Sequence, residues 1–528
     1  MKLNHFSITD TTLIFLGSLF FFTFGLQHAE IIGFESRFYV FSLEMYRHGV
    51  TWFPTTYKTP YPDYLGTSTF LIYLAAKGLG GLNKLTAVLP SAIAGSITLV
   101  ATYLIGALQK RALGLYAAGF LLFTLAFLSA ARTISLDIFV TAFTTLIFYI
   151  AYRAKLQQQK IPLILILLLL TASFSIRGPL GIVIPAGVLS LFYLLYQNIK
   201  YFFVIAISCL GLLLIETGVL LLIAAHVEDK SFMHAVLHMQ VIGRLQTNQT
   251  PPWYFYFLEN IGAYAITYPL CILILLGTGR ELLKFKLSPD LKLLQLLFGW
   301  LLVILIGLSI PADKKVRYIL SIAPALALIC GYLCVLTNPS VYLFWLQKIF
   351  YAICRIFPLI GLAALTILHF RCAASNEWTL AALFVTLQVA VLLLRSKHTA
   401  FASALFIFIL SFILIVEPIN IKANQASSFV QKIEKLRKLK KAKLFFYQEG
   451  RDGLVIKYLA NMSSEDYPLF IDTVENAPSN AFIIATEEHF EALPKNKRAD
   501  LYPIARGKIG HDKVIVFSKT VPRPKVLF

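Results

Sequence analysis

Long apolar runs fill most of the first 420 residues, and short polar clusters interrupt them at intervals. Among these clusters are Gly33 to Phe38, Arg132 to Asp137, Arg177-Gly178-Pro179 and Lys314 to Tyr318. Crossing the hydrocarbon of a bilayer takes roughly 18 to 25 apolar residues. On that measure the chain predicts about 13 spans, near 11–28, 84–107, 113–130, 136–153, 162–176, 180–197, 201–226, 261–279, 292–310, 317–336, 343–369, 377–395 and 399–418. The fifth is short, and the sixth begins almost at once. Threaded through a bilayer, the polar clusters fall on one face, where ionisable groups are costly near lipid and mark a site.

Orientation follows from lysine and arginine. One set of alternating loops carries Lys110-Arg111, Arg153, Lys155, Lys160, Lys200, the stretch Arg280 to Lys292, and Arg395 with Lys397. These loops are short and basic, with roughly one positive residue in four against one in ten on the other side, so they are expected in the cytoplasm. An odd number of spans then places the N-terminus inside and the last hundred residues outside. The first span has no small-x-small cleavage site behind it and reads as a retained signal anchor.

Composition agrees with this picture. Of 528 residues 58% are hydrophobic and only 14% charged, and the mean hydropathy is +0.73, far outside the soluble globular class. The net charge of +20 is no nucleic-acid signal. It arises from the loop bias and from the C-terminal segment, above all Lys432 to Lys443, beside a bilayer that attracts it. All six cysteines, Cys209, Cys271, Cys330, Cys334, Cys354 and Cys372, lie in or at the edge of apolar runs, which implies buried small hydrophobes.

Three outer pieces are long enough to have structure. In residues 29–83, Phe34, Phe38, Phe41 and Met45 recur at helical spacing beside a polar-aromatic stripe of Glu35, Tyr39, Ser42 and Tyr46. This predicts a helix lying flat on the membrane with its polar side toward a cavity. Thr55 to Pro62, with two prolines, is a loop, and 64–77 a short helix. Residues 227–260 carry His234, His238, Arg244, Asn248 and Pro251-Pro252-Trp253; the two histidines lack a third metal ligand nearby. In residues 421–528 a basic helix (Val430 to Lys441) leads into β-like runs at Lys443–Tyr447, Phe482–Ala485 and Lys513–Phe517, with helices near 452–460 and 487–493. That pattern predicts a small α/β domain. The expected fold is thus an all-α polytopic membrane domain, residues 1–420, followed by a small extracytoplasmic α/β domain, 421–528.

The order of these motifs resembles the bacterial polyprenyl-phosphate-sugar-dependent glycosyltransferases of the GT-C fold, related to protein O-mannosyltransferases and most similar to the lipid A aminoarabinose transferases. That family has one span and then an outer helix with an Asp-Glu-x-Arg-Tyr-like motif, matched here by Phe34-Glu35-Ser36-Arg37-Phe38. Its Glu-Lys-Pro loop corresponds to Tyr57-Lys58-Thr59-Pro60, its Leu-Asp to Ser135-Leu136-Asp137, and its Lys-Gly-Pro-Leu-Gly to Arg177-Gly178-Pro179-Leu180-Gly181. Its late basic-x-x-His-Tyr and Pro-Ala-Leu-Ala correspond to Lys315-Val316-Arg317-Tyr318 and Pro324-Ala325-Leu326-Ala327. The likeness runs through nearly the whole chain. Three positions depart from it: Phe34 stands at the family's first acidic residue, Lys58 at the Glu of Glu-Lys-Pro, and Arg317 at the histidine.

The resemblance implies transfer of a sugar from a polyprenyl (undecaprenyl) phosphate carrier, with inversion, to a lipid (lipid A-like) or glycan acceptor on the periplasmic side of a bacterial inner membrane. Such a donor already carries a good leaving group. The enzyme must neutralise the departing phosphate, align the acceptor and supply a base. Arginine suits phosphate because its fork donates two parallel hydrogen bonds. Candidates for the phosphate are Lys58, Arg244, Lys314, Lys315 and Arg317, with Tyr318 as a neutral donor, and the resemblance favours Arg244 and Tyr318. Glu35 and Asp137 lead as base, with Asp63 as a substitute for a lost carboxylate. Plainer roles stand beside each: an ion pair of Glu35 with Arg37 or Arg132, a helix cap for Asp137, interfacial anchoring by Arg177 and Arg132, a charge cluster at a span end for Lys314–Arg317. Glu216, deep in the seventh span, either pairs with another helix or lines a lipid groove. No cofactor is implied beyond the lipid-linked sugar; few carboxylates argue against a tightly held metal, and a divalent cation is left open. Two other functions are weighed: an inactive relative that binds or scaffolds the carrier, which Phe34 favours, and a transporter of lipid-linked sugars, which would need more charge along a path through the bilayer.

Overall fold

A computed structural model describes residues 8–26, 30–31, 33–243, 251–282, 284, 287–371, 377–394, 396–417, 419 and 426–520; Arg244, Asn248, Cys372 and Arg395 lie outside the described residues. In chain order the α-helices of seven residues or more are α1 (Ile8–Thr23), α2 (Glu35–His48), α3 (Thr67–Gly78), α4 (Lys84–Ala107), α5 (Arg111–Leu122), α6 (Leu125–Ala131), α7 (Asp137–Leu156), α8 (Leu163–Arg177), α9 (Leu180–Leu195), α10 (Ile199–Val227), α11 (Lys230–Leu237), α12 (Thr267–Leu282), α13 (Pro289–Ser309), α14 (Ala323–Val335), α15 (Val341–Arg371), α16 (Glu377–Leu394), α17 (Lys397–Ser411), α18 (Ala426–Lys440) and α19 (Leu454–Asn461). A two-residue hairpin, β1 (Thr55–Thr56) and β2 (Thr59–Pro60), follows α2, and five strands close the chain: β3 (Leu444–Tyr447), β4 (Leu469–Ile471), β5 (Phe482–Thr486), β6 (Tyr502–Ile509) and β7 (Asp512–Ser518).

Each predicted span coincides with a helix or a pair of helices. Among the described residues seven helices are long and apolar enough to cross a membrane by themselves, an eighth if α5 and α6 count as one span broken by 76°, and α1, α8, α9 and part of α16 are shorter apolar helices. At about 1.5 Å per residue, the 15 residues of α8 reach roughly 22 Å, short of the ~30 Å hydrocarbon thickness. The span predicted at 317–336 is α-helical only from Ala323. Residues Val316–Ile322 form a 3-10 helix, because Pro324, in the first turn of α14, cannot donate to the carbonyl four residues back.

Two compact units result, a helical unit of residues 1–24, 62–68 and 88–414 and a sheet unit of 25–61, 69–87 and 415–528. In the helical unit, buried hydroxyls of Ser96, Thr98, Thr102, Thr141, Thr144 and Thr145 each donate to the carbonyl four residues back. This satisfies a polar group without a partner helix.

The sheet unit has strand order β4-β3-β5-β7-β6, with β4, β3 and β5 parallel and β5, β7 and β6 antiparallel. Alternation sends Leu444, Phe446, Phe482, Ile484, Val514 and Val516 to one core with Val430, Ile433, Val455 and Tyr458, and Phe445, Ile483, Ile515 and Phe517 to the other face. The sequence reading included the three central strands but neither edge. β4 has three residues, and β6 carries Pro503, Gly507 and a register shift near Pro503, features tolerated only at an edge.

Two expectations are corrected. Residues 25–61 and 69–87, assigned on sequence to the transmembrane domain, cluster with the C-terminal residues, because Ile31 and Val40 enter the sheet unit's core. Nor is α2 a flat helix with one face on lipid. Phe38, Phe41 and Met45 are buried in protein, and so are Glu35, Ser36, Ser42 and Glu44 on its polar side. Of the apolar stripe, Phe34 is 39% exposed, its ring edge-on to Phe38.

Candidate active site

The helical unit gathers its polar side chains where α8 ends and α7 and α9 begin. Arg177 is the last residue of α8; Gly178, at φ 61°, turns the chain sharply, and Pro179 leads into α9. Only glycine adopts that φ without strain, and a methyl at Gly181 would collide with the carbonyl of Ser173, so the tight turn presses α9 against α8. Asp137 opens α7, but Leu136 holds the capping position and no side chain caps the helix.

The Asp137 carboxylate is instead an anchor for two guanidinium groups. Arg177 donates from Nε to Oδ1 at 2.8 Å, and Arg317 Nε lies 3.8 Å from Oδ2. Arg177, 3% exposed, also donates to the Tyr64 hydroxyl, and its guanidinium sits 5.1 Å from the Tyr64 ring centre and 5.3 Å from that of Tyr318. Its Nη2 is buried without a hydrogen-bond partner among the described residues. A buried donor left unmet costs about 1–3 kcal/mol, more for a charged group.

The segment before α14 completes the cluster. The Tyr318 hydroxyl donates to Asp313 at 2.9 Å, Lys315 Nζ lies 3.5 Å from the same carboxylate, and Arg317 lies 5.5 Å from the Tyr318 ring centre. Backbone contacts pin the segment: the N–H of Lys315 to the Tyr256 hydroxyl at 3.1 Å, the Tyr264 hydroxyl to the carbonyl of Val316 at 3.2 Å, and Trp300 Nε1 to the carbonyl of Ser321 at 2.9 Å. Lys314 is spent on the carbonyl of Pro251 at 3.1 Å. Asp63 is buried and accepts from Gln240 Nε2 at 3.2 Å.

Beside these groups lies a cavity of about 350 Å³, polar at the end made by Gln240, Tyr256, Asp313 and Tyr318, and apolar where Leu180, Val183 and Ile184 of α9 face Val303, Ile304 and Leu308 of α13. A larger apolar groove of about 740 Å³ continues along Leu191 and Leu195 of α9, Leu275 and Leu282 of α12, and Phe298, Leu302 and Ile306 of α13. Val303 and Gly307 line both.

Glu35 and Lys58 belong to the sheet unit. Glu35, 3% exposed, is ion-paired with Lys84, itself 6% exposed. Arg37 binds Asp452 at 2.7 Å; Arg132 caps the end of α1 through the carbonyls of Phe21 and Phe24. Lys58 is exposed in the β1–β2 turn, where Tyr57 and Lys58 take φ 53° and 61°, and its N–H is held by Glu44 at 3.2 Å. Burial pushes the Tyr57 phenol well above its ordinary range. Arg244 lies outside the described residues. Of the two fates weighed for Glu216, the structure displays the pairing with another helix: Thr171 of α8 donates to it at 2.8 Å. Among the described residues no three His, Cys, Asp or Glu side chains converge on a common point.

Sequence reasoning passed over Tyr64, Gln240, Tyr256, Asp313 and Lys84. Asp313 sat one residue before a cluster already noticed, and Lys84 was a lone charge at the head of an apolar run. The other three are neutral residues in loops or next to them, and nothing local sets them apart.

No protein-family profile matches the chain. Two proteins of Aquifex aeolicus (strain VF5), each described as uncharacterized, are similar to it. One is 25% identical over 338 residues, 61% of this chain and 73% of its own length. The other is 28% identical over 272 residues, 49% of this chain and 51% of its own length, so the chain spans about half of that relative. Among solved structures, ArnT from Cupriavidus metallidurans in the apo state aligns with a TM-score of 0.70 at 15% identity, covering 97% of this chain and 98% of that one. The same enzyme bound to undecaprenyl phosphate aligns with a TM-score of 0.65 at 16% identity, with the same coverage. From the first apolar helix to the terminal sheet, this chain has the GT-C fold that ArnT has.

Proposed function

We propose that this chain is an integral membrane glycosyltransferase that moves a sugar from a polyprenyl-phosphate carrier to a lipid or glycan acceptor, at a site facing the periplasm of a bacterial inner membrane. The observation that carries this reading is the cationic cluster of Arg177, Arg317 and Lys315 near an apolar groove. A lipid-linked sugar phosphate has that same division, an anionic head on a long hydrocarbon tail. The fold is shared with an ArnT structure bound to undecaprenyl phosphate, which supports the same class of ligand here. The basic loops between spans support the orientation.

In this reading the phosphate rests among Arg317, Lys315 and the Tyr318 hydroxyl, while Arg177 holds the Asp137 carboxylate in place; Arg244 is proposed as a further phosphate ligand. The acceptor hydroxyl attacks the anomeric carbon, the bond to the phosphate oxygen breaks, and the hydroxyl proton passes to a carboxylate. Asp137 is engaged by two guanidinium groups and Glu35 by Lys84, so each is better suited to orienting cations. Asp63, buried and hydrogen-bonded to a neutral amide that lines the cavity, is the proposed base.

Purified protein given a panel of polyprenyl-phosphate sugars tests this by release of free polyprenyl phosphate. Turnover that disappears in Asp63→Asn, with carrier binding retained, is the expected result. A second reading, an inactive carrier-binding relative, is favoured by Phe34 and by the neutralised Glu35. Saturable carrier binding without turnover on any donor would establish it instead.

A further inference from the structure

The long apolar groove in the helical unit has a second charged end. It runs along α13 from Gln295 to Gly307, roughly 18 Å by helix rise. Val303 and Gly307, toward the C-terminal end of α13, also line the cavity of the candidate active site. The other end lies where α9 and α12 finish and α13 begins, at Leu195, Leu282 and Gln295. Apart from Gln295 the lining is apolar or glycine.

Lys292, half-buried in the first turn of α13, donates to Gln295 Oε1 at 2.8 Å and to the carbonyl of Leu195 at 2.7 Å. Both partners line the groove, so the ammonium sits at its mouth. It also lies 5.0 Å from the ring centre of Tyr196. Lys155, exposed in the last turn of α7, lies 4.9 Å from the same ring. The two positive charges are thus within about 10 Å of each other, a separation that salt at ordinary strength does not fully screen. Among the described residues neither is ion-paired; Asp290, the carboxylate nearest to Lys292 in sequence, is 3.4 Å from Lys110. Capping the last carbonyl of α9 explains one bond of Lys292, but not the second cation brought to the same ring. The first turn of a helix also disfavours a cation and favours an anion. An anion at this mouth relieves both costs.

We propose that this end of the groove binds an anionic phospholipid, its phosphate beside Lys292 and Lys155 and one acyl chain laid along Leu195, Leu282 and Phe298. The length of the groove suits a chain that spans one leaflet, half of the ~30 Å hydrocarbon. A peptide lying there would leave its backbone N–H and C=O groups unmatched against an apolar wall, whereas a hydrocarbon chain has none. Gly279, in the wall near this end, keeps the groove open, since a Cβ there meets nothing within 4 Å. Basic pockets between transmembrane helices on the cytoplasmic side hold anionic headgroups in this way. In the orientation proposed above these lysines face the cytoplasm, so the lipid comes from the inner leaflet. The carrier phosphate is proposed at the opposite end, so the two lipids enter the groove from opposite sides, and this site is read without any lipid-linked sugar.

Native mass spectrometry tests this on the full chain, delipidated in detergent and titrated with dipalmitoyl phosphatidylglycerol, dipalmitoyl phosphatidylcholine or polyprenyl phosphate. Expected is one saturable phosphatidylglycerol, with phosphatidylcholine weaker by about fivefold, the worth of one lysine beside an anionic headgroup. Lys155→Ala, at an exposed position, should weaken phosphatidylglycerol about fivefold and leave the net-neutral phosphatidylcholine unchanged. Lys160→Ala, exposed a few residues further on, should change neither. Gly279→Leu, which fills the groove, should weaken both phospholipids. Equal affinity for the two, an equal loss in Lys160→Ala and Lys155→Ala, or indifference to Gly279→Leu would each overturn the proposal. So would a loss of polyprenyl phosphate in Lys155→Ala as large as that of phosphatidylglycerol, which would put the carrier's head at this end.

Discussion

Arg177 and Asp137 meet at 2.8 Å where one helix ends and another begins, and neither is open to solvent. Removing one partner of a buried pair leaves a charge with nothing to balance it, at a cost of about 3–5 kcal/mol. Arg317 stays within 3.8 Å of Asp137, which places the expected loss for Arg177→Gln near the lower figure, about 3 kcal/mol. Adding Asp137→Asn to that variant should recover part of it. Thermal unfolding of the two single variants and the double in detergent measures the coupling, and strictly additive losses would show that the pair is not one unit.

Arg317 is the more accessible guanidinium, with a side chain 34% exposed, so its truncation should spare the fold and act on the ligand. Arg317→Ala is expected to weaken polyprenyl-phosphate binding about tenfold, the value of one charge-assisted hydrogen bond. Tyr318→Phe, which removes a neutral donor now spent on Asp313, should weaken it less. Dissociation constants for the carrier lipid check both, and unchanged affinity in Arg317→Ala would remove it from the phosphate site.

Gly307 lines both the cavity and the groove, and a Cβ there meets nothing within 4 Å. Gly307→Leu should therefore fold normally and occupy the path of a lipid tail. The expected signature is loss of affinity for a long polyprenyl phosphate with little change for a short-chain prenyl phosphate. Equal affinity for the long chain would mean that the tail lies elsewhere.

Glu35 and Lys84 are a buried ion pair inside the sheet unit. Lys84→Met should destabilise the protein by about 3–5 kcal/mol, because the carboxylate is left buried and uncompensated. Glu35→Gln, if the residue is structural, should lower the melting temperature while turnover per folded molecule stays within a few-fold. A general base would show a loss of about 10²-fold or more, so the ratio of the two effects decides between the roles.

Lys58 combines an exposed charge with a left-handed backbone, next to Tyr57 in the same region of φ. Lys58→Gly relieves strain of about 1–2 kcal/mol, mostly offset by the greater freedom of glycine in the unfolded chain. Stability should hardly move, and thermal unfolding checks it. A clear loss would mean that the turn, which Glu44 holds through the Lys58 N–H, needs the side chain as well.

Much of the architecture was legible because lipid imposes a local rule. A segment must carry its apolar side chains in one continuous run and satisfy its own backbone, so the helix Lys84–Ala107 falls on its predicted bounds and the core strands β3, β5 and β7 within a residue or two. Failures occur where a neighbour decides. The stripe Phe38, Phe41 and Met45 looked like a lipid-facing surface, since periodicity states that a face is buried but not against what. Edge strands β4 and β6 carry little alternation because only one side of each is paired.

The site divides in the same way. Residue types and membrane periodicity by themselves determined that cations and tyrosines would gather outside the spans, and they pointed to Asp137, Arg317 and Tyr318. Only the tertiary structure decided that Asp137 is shared by Arg177 and Arg317, that Glu35 is matched by Lys84 from 49 residues away, and that Gln240 reaches Asp63 across 177. Hydrophobic periodicity is a property of neighbours three or four residues apart and is written in the chain. The partner of a buried charge is fixed by which helix ends the packing brings together, and no local pattern encodes that choice.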